Sequence, residues 1–420
     1  MLSKASNNAD TIRSLAKQNN RPLVGYLIDM VRTKFKNRVT LLAVCPNSES
    51  VTRAALEAAH EVNSPILFAA TLNQVDNDGG YTGWTPDDLV KFLQEYSKKI
   101  GLESPVLPCL DHGGPWLKDS HTKDGLTFEE TMNEVKRSLE ACLDAGYDLL
   151  HIDPTVDRTI PGDDPIPIEL VAERTLELIN HSENYRTSIG RPKVAYEVGT
   201  EEVHGGLANT DSFRLFLNLL DKGLKEAGLE HAWPCFVVGK VGTDLHTTYF
   251  EPEMARDLTA QSSPFGALIK GHYSDYVDNP EDYPLSGMGG ANVGPEYTEE
   301  EFKALMDLIH LENKIGKNSG LYEALEQAVV SSNRWQKWLQ KDESDCAFHD
   351  LKQQRREWLM RTCSRYIWTH PDVVRCRKKL YDNLSDYRDA DSYVIWTIKK
   401  SILKYFHSFN LINFTNRLVQ

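Results

Sequence analysis

The sequence predicts a (β/α)8 TIM barrel of the α/β class over residues 39–310, followed by an all-helical extension over 311–420. Three observations carry that expectation. From about residue 39, short β-branched runs alternate with amphipathic helical stretches, the rhythm of repeated βα units. Eight such runs can be counted. Beyond residue 311 they stop, and helical periodicity alone remains.

The runs are VTLLAVC (39–45), PILFAAT (65–71), PVLPCLD (105–111), YDLLHID (147–153), KVAYEVG (193–199), PCFVVGK (234–240), GALIKGH (266–272) and, weakest, SGMGGANV (286–293). Between them SVTRAALEAAHEV, FEETMNEVKRSLEACLDAG and DSFRLFLNLLDKGLKEAG read as helices. The second places Met132, Val135, Leu139 and Leu143 at helical spacing, and Ala145-Gly146 suits a C-cap. YSDYVDNPEDYPLSG, before the eighth run, reads as a loop rather than a full helix. A doubly wound open sheet is the alternative, but no G-x-G-x-x-G follows the first strand. Residues 1–38 form an N-terminal segment in which PLVGYLIDMVRTKF predicts an extra helix at the barrel bottom. In the extension, Trp335, Trp338, Trp358, Trp368 and Trp396 read as packing anchors on successive helices.

Composition limits the function. A chain of 420 residues, 40% hydrophobic and 26% charged, is that of a soluble globular protein with room for one large and one smaller domain. The polar start MLSKASNNADTIRSLAKQNN is unlike a secretory signal, and no apolar run is long enough to cross a bilayer. Seven cysteines without framework spacing suit a reducing cytosol, so a cytoplasmic location is expected. The formal charge of −14 argues against non-specific binding to nucleic acid. It is unevenly spread, at +6 over 311–420 and −20 over the rest. The basic tail could be a nucleic-acid arm; docking against its own domain or a sister subunit in a homo-oligomer is the favoured reading.

Catalytic groups in such barrels gather where strands end. That rule collects Asp111-His112 from strand three, His151 and Asp153 from strand four, and Glu197 from strand five. His246 follows strand six and His272 ends strand seven. Imidazoles and a carboxylate from different strands can converge on one divalent ion, zinc or a borderline relative such as Mn, Ni or Co. Glu201, Glu202 and His204 cluster in YEVGTEEVHGG. The glycine-rich DNDGGYTGWTPDDL, with Tyr81 and Trp84, reads as a lid or substrate wall, and GMGGANVGPE could offer backbone N–H groups to a phosphate. Lys118, Arg158 and Lys270 could offset the acidic barrel for an anionic substrate, against a default reading as surface charges. Cys45 reads as a small buried hydrophobe.

The blocks ATLNQVDNDGGYTGWTP, LDHGGPW, AGYDLLHIDPT, VGTEEVHGG and KGHYSDY resemble the tagatose-bisphosphate aldolase non-catalytic-subunit family, itself related to metal-dependent class II ketose-bisphosphate aldolases. The likeness runs over nearly the whole chain. Within it, TLLAVCPNSESV, YEVGTEEVHGG, VGTDLHTTYF and GGANVGPEYT are most similar to a branch of metal-dependent epimerases interconverting tagatose 6-phosphate and fructose 6-phosphate. The resemblance implies His112, Glu197, His246 and His272 as metal ligands. It implies Asp111 as a proton-transferring group, with Asp153, Glu201 or Glu202 as the second. Candidate substrate contacts are Asn47, Gln74, Lys270 and Asn292. Where class II aldolases carry a glycine- and serine-rich phosphate loop, this chain has Tyr273-Ser274-Asp275, a departure that fits a ketose with a C6 phosphate alone. The alternative implied is an accessory subunit docking onto a separate aldolase; accessory subunits carry an aliphatic residue at the position of Glu197.

Overall fold

Eight parallel strands close into a barrel in the computed structural model, which describes residues 8–160, 166–200, 206–243, 247–343 and 345–420. In chain order the strands are β1 (Leu41–Val44), β2 (Ile66–Thr71), β3 (Val106–Gly113), β4 (Leu149–Ile152) and β5 (Ala195–Gly199). They continue with β6 (Gly206–Leu207), β7 (Phe236–Val238), β8 (Val241–Gly242), β9 (Leu268–Gly271) and β10 (Gly290–Val293). The short β6 and β8 pair antiparallel outside the barrel, and the other eight run β1-β10-β9-β7-β5-β4-β3-β2 around it. Each predicted run overlaps one barrel strand, the third strand extending two residues past its run to Gly113. Apolar branched side chains bury both faces of these strands, as a parallel sheet wrapped by helices requires.

Helices α1 (Asn8–Gln18) and α2 (Leu23–Thr33) precede the barrel, and α2 buries Val24, Leu27, Ile28 and Val31 while packing on β5. The outer layer comprises α3 (Glu49–Val62), α4 (Pro86–Ile100), α5 (Asp119–Lys123), α6 (Phe128–Ala145), α7 (Ile168–Ser188), α8 (Thr210–Glu226) and α9 (Pro252–Ser262). Local chemistry sets their ends. Thr85 with Asp88 and Thr127 with Glu130 form capping boxes on α4 and α6, and Gly146 closes α6 in the left-handed conformation. Between β9 and β10 there is one short turn of helix, α10 (Asp282–Ser286), in agreement with the loop-like sequence there.

After β10, α11 (Pro295–Lys314) completes the ring, and α12 (Leu321–Ser332), α13 (Gln353–Cys363), α14 (Pro371–Leu384), α15 (Ala390–Ser408) and α16 (Phe414–Val419) form the extension. It folds back on the barrel: α15 lies against α3 and α11, and α16 reaches α1. Buried ionic seams fix it there. Arg377 donates to Glu301 Oε1 (2.7 Å) and Ser50 Oγ (2.8 Å), while Ser48 Oγ donates to Glu301 Oε2 (2.6 Å). Glu312 accepts from Ser319 (2.8 Å) and Asn383 (2.5 Å). No helix among the described residues is long and apolar enough to cross a membrane.

Candidate metal centre at the barrel mouth

Adjacent strand residues ordinarily point to opposite faces, so Asp111 and His112 cannot both face the barrel mouth on a regular β3. A bulge solves this. Leu110 pairs with Leu150 but Gly113 pairs with Ile152, giving β3 one residue more than β4 over the same span. His112 takes the left-handed backbone conformation there, φ 53°. Gly113 and Gly114 make the turn possible: a Cβ on the first would lie 2.7 Å from the His151 carbonyl oxygen, and on the second 1.7 Å from that of Asp153. The LDHGG run is therefore one device for aiming two side chains.

What they meet is a knot of buried donors. Asp111 Oδ1 lies 3.2 Å from His151 Nδ1 and 3.7 Å from His272 Nε2, and it accepts from Asn292 Nδ2 at 3.1 Å. Glu197 Oε1 is 3.0 Å from His272 Nε2 and 3.8 Å from His151 Nδ1. On the mouth side, His272 Nδ1 and His112 Nε2 face each other at 3.1 Å. The donor atoms of Asp111, His151, Glu197 and His272 fall within 4.8 Å of one another, as do those of His112, His151 and His272. Apart from His112, whose side chain is partly exposed, these groups are buried.

The electrostatics follow from that crowding. Burial opposes ionisation of Asp111, but His112, His272, a bond to His151 and Lys270 together hold its carboxyl well below the usual range. Burial likewise opposes a charged His112, yet Asp111, Asp153 and Glu197 push its imidazole up to about 9. Burial dominates at His272 and lowers it, so that ring stays neutral, as a ligand imidazole must. Glu197 is lowered to about 2, against burial, chiefly by Lys270 and the two inner histidines.

These residues fit a divalent ion. His151 Nε2 is buried without a hydrogen-bond partner among the described residues, and His112 Nε2 and His272 Nδ1 stand 3.1 Å apart, within reach of one ion. Asp153 Oδ2 holds His112 Nδ1 at 2.5 Å, the carboxylate–histidine arrangement that frees Nε2 for an ion. With the His112 proton displaced by the ion, the set combines imidazole nitrogen and carboxylate oxygen, which suits zinc and its borderline relatives.

The sequence-predicted residues are distributed unevenly. Asp111, His112, Asp153, Glu197, Lys270, His272 and Asn292 come together. Asn47 and Gln74 lie on the loops after β1 and β2, where Asn47 Oδ1 accepts from Gln74 (2.7 Å) and from the Tyr81 hydroxyl (2.9 Å). Glu201, Glu202, His204 and His246 lie outside the described residues. His151, collected at strand four but left out of the ligand set, belongs to both donor groups. Its signal was its place in LLHI, level with Glu197 on β5.

Two expectations need correction. Lys270 is no surface charge: it is 1% exposed, donates to Glu197 Oε2 at 2.6 Å and lies over the Phe236 ring, because the inward face of β9 gives it nowhere else to go. The backbone N–H groups of GMGGANVGPE do not face open space either. Those of Gly294 and Glu296 donate to Asp275 Oδ1 at 2.9 and 2.8 Å. A side chain of this chain takes the place expected for a phosphate.

A family model described as D-tagatose-1,6-bisphosphate aldolase subunit GatZ/KbaZ-like matches residues 27–400. The chain belongs to this family. D-tagatose-1,6-bisphosphate aldolase subunit GatZ of Klebsiella oxytoca is 26% identical over 379 residues, covering 84% of this chain and 87% of the relative. GatZ of Klebsiella pneumoniae is 25% identical over 383 residues, covering 85% and 87%. Among solved structures, a probable tagatose 6-phosphate kinase from Sinorhizobium meliloti shares the fold at TM-score 0.69 and 20% identity, over 88% of this chain and all of that one. The fructose-bisphosphate aldolase of Campylobacter jejuni does so at 0.54 and 14%, over 93% and 95%. These likenesses to solved structures establish the barrel and leave the chemistry to the site.

Proposed function

We propose that this GatZ/KbaZ-like chain acts in tagatose phosphate metabolism and that its barrel mouth is a metal-dependent site for a ketose phosphate. Two finer readings divide the support. The names of the relatives favour a subunit working with a separate tagatose-bisphosphate aldolase, and on that ground it is the better supported of the two. The buried donor set favours a second reading, in which the chain itself is a 4-epimerase of tagatose 6-phosphate and fructose 6-phosphate. A purely accessory role gives no reason to gather three imidazoles and two carboxylates at one point.

The epimerase chemistry would proceed as follows. The hydrogen on C4 of a 2-ketose is not acidic, so inversion by simple proton abstraction is closed. Breaking the C3–C4 bond is open: a base takes the C4 hydroxyl proton, the C4 carbonyl forms, and the bonding pair stays with the C1–C3 fragment. The aldehyde turns, C3 attacks its other face, and the proton returns to the C4 oxygen. A bound divalent ion would supply Lewis-acid stabilisation of the negative charge on the ketose fragment, held by His112, His151, His272 and a carboxylate. Asp111, ionised and oriented by Asn292, is the proposed base. Asp153, engaged by His112 and Thr155, is better placed to orient His112 than to shuttle protons. The partner acid/base is then proposed among Glu201 and Glu202, and Lys270 keeps Glu197 ionised.

The purified, metal-loaded chain incubated with tagatose 6-phosphate separates the readings. Fructose 6-phosphate formed by the chain alone, and lost with a chelator, supports the epimerase. No conversion, with stimulation of an added tagatose-bisphosphate aldolase, supports the subunit.

A further inference from the structure

In this barrel type a substrate phosphate commonly sits at the loops after the last two strands, against a helix N-terminus. Here Asp275 fills that place. Its carboxyl accepts from the Gly294 and Glu296 N–H groups at the start of α11, and burial beside Glu296 pushes it up to about 7. A phosphate group carrying roughly −1.5 to −2 charges would meet an acid there. Cations for it have to be found elsewhere.

Arg365 is a buried cation that the centre leaves unused. It lies in the turn Ser364–Tyr366 that follows α13, is 6% exposed, and has no carboxylate oxygen within 4.0 Å among the described residues. An arginine cannot shed its proton, and a buried charge without a counter-ion is costly. Its guanidinium lies 4.9 Å from the Trp338 ring and 5.0 Å from the Tyr366 ring, planar walls that fix its direction. Arg334 shares the Tyr366 ring at 4.8 Å. One of its nitrogens reaches Asp119 at 3.6 Å, and Nη1 is buried without a partner. Arg334 and Tyr81 line a cavity of about 180 Å³ with Asn73, Asp78, Lys118 and Ser120. Lys118 is already held by Asp76 and Asp78 at 2.6 and 2.9 Å.

This wall adjoins the centre. Tyr366 meets Tyr81 edge-on at 5.2 Å, and the Tyr81 hydroxyl bonds to Asn47 on the loop after β1. The charge of Arg365 is also felt at Cys45, Tyr81 and Asp275, on the loops or ends of β1, β2 and β9.

We propose that Arg365, with Arg334 beside it, receives the phosphomonoester of the substrate, so that the helical extension supplies a specificity residue to the barrel. The assignment of that phosphate to a ketose rests on the function proposed above. The guanidinium fork of Arg365 would take two phosphate oxygens.

Calorimetry and thermal shift on the full chain test this, with inorganic phosphate, fructose 6-phosphate and free fructose as probes against wild type, Arg365→Met and Arg365→Lys. Wild type is expected to bind phosphate and fructose 6-phosphate. Arg365→Met should weaken both by roughly 10–100-fold, leave free fructose and metal content unchanged, and match or exceed the wild-type Tm without ligand, since no carboxylate among the described residues loses a partner. Arg365→Lys, which keeps charge but not the fork, should fall between. An unchanged phosphate affinity in either variant overturns the proposal, as does a wild type that responds to neither phosphate probe. Should Arg365→Met not fold, Arg365→Lys alone decides. Phosphate binding that depends on Arg365 in a chain that converts no tagatose 6-phosphate supports this site while counting against the epimerase.

Discussion

Two of the places where the molecule buries charge treat it in opposite ways. Along the seam between barrel and extension, Glu301 and Glu312 each have both oxygens paired to donors at 2.5–2.8 Å. At the barrel mouth His112 and His272 turn nitrogens toward each other, His151 keeps a buried nitrogen unpaired, and Asp111 is shared among several groups at 3.1–3.7 Å. Satisfied buried pairs hold parts together. Crowded donors that cannot all be satisfied by one another point to a ligand, because selection against unpaired buried polar groups is otherwise strong.

The contrast can be broken at its strongest point by His272→Ala. Metal content after dialysis, and any turnover, should fall by more than the roughly 10–100-fold typical of losing an outer-shell partner, with the Tm nearly kept. A variant that retains its metal would place the ion elsewhere. The seam should answer in the reverse sense. Glu301→Ala leaves Arg377 without its carboxylate and should cost about 3–5 kcal/mol in denaturant unfolding while metal affinity stays within twofold.

A finer division lies within the mouth. Asp153→Asn keeps the shape but weakens the hold on His112 Nδ1, so metal affinity should drop about 10–100-fold without loss of fold; isothermal titration with zinc reads this directly. The smallest effect belongs to neither region. Burial raises Asp148 to about 6, with Arg13 opposing. A carboxyl whose folded pKa lies above its unfolded value near 4 favours the folded state below pH 4, and that advantage is lost as pH rises through 6. Asp148→Asn should therefore raise stability by about 1–2 kcal/mol at pH 8 and change little at pH 4, which paired melting curves would show.

Much of this was legible beforehand for a clear reason. Barrel strands are read from β-branched runs, and strand ends from the polar residue or glycine that follows, so Asp111, Glu197 and His272 could be picked out one by one. His151 was visible in LLHI, yet its weight as a donor depends on β4 and β5 being in register. Lys270 looked like a surface cation because lysine usually is one; its burial is a property of the inward face of β9. Arg365 carried no signal at all, since a basic residue on a helical tail is ordinary until Trp338 and Tyr366 close over it.

The sequence alone determined the barrel, the helical extension and the residue types at the strand ends, because periodicity and turn chemistry act over a few residues. Tertiary structure decided which of those side chains share one point in space. The β3 bulge turned an adjacent Asp-His pair into two inward donors. Asp275 closed the helix N-terminus that looked ready for phosphate. The extension brought Arg365 and Arg334 to the loop of Tyr81. Each depends on contacts between segments far apart in the chain, and those are set by packing.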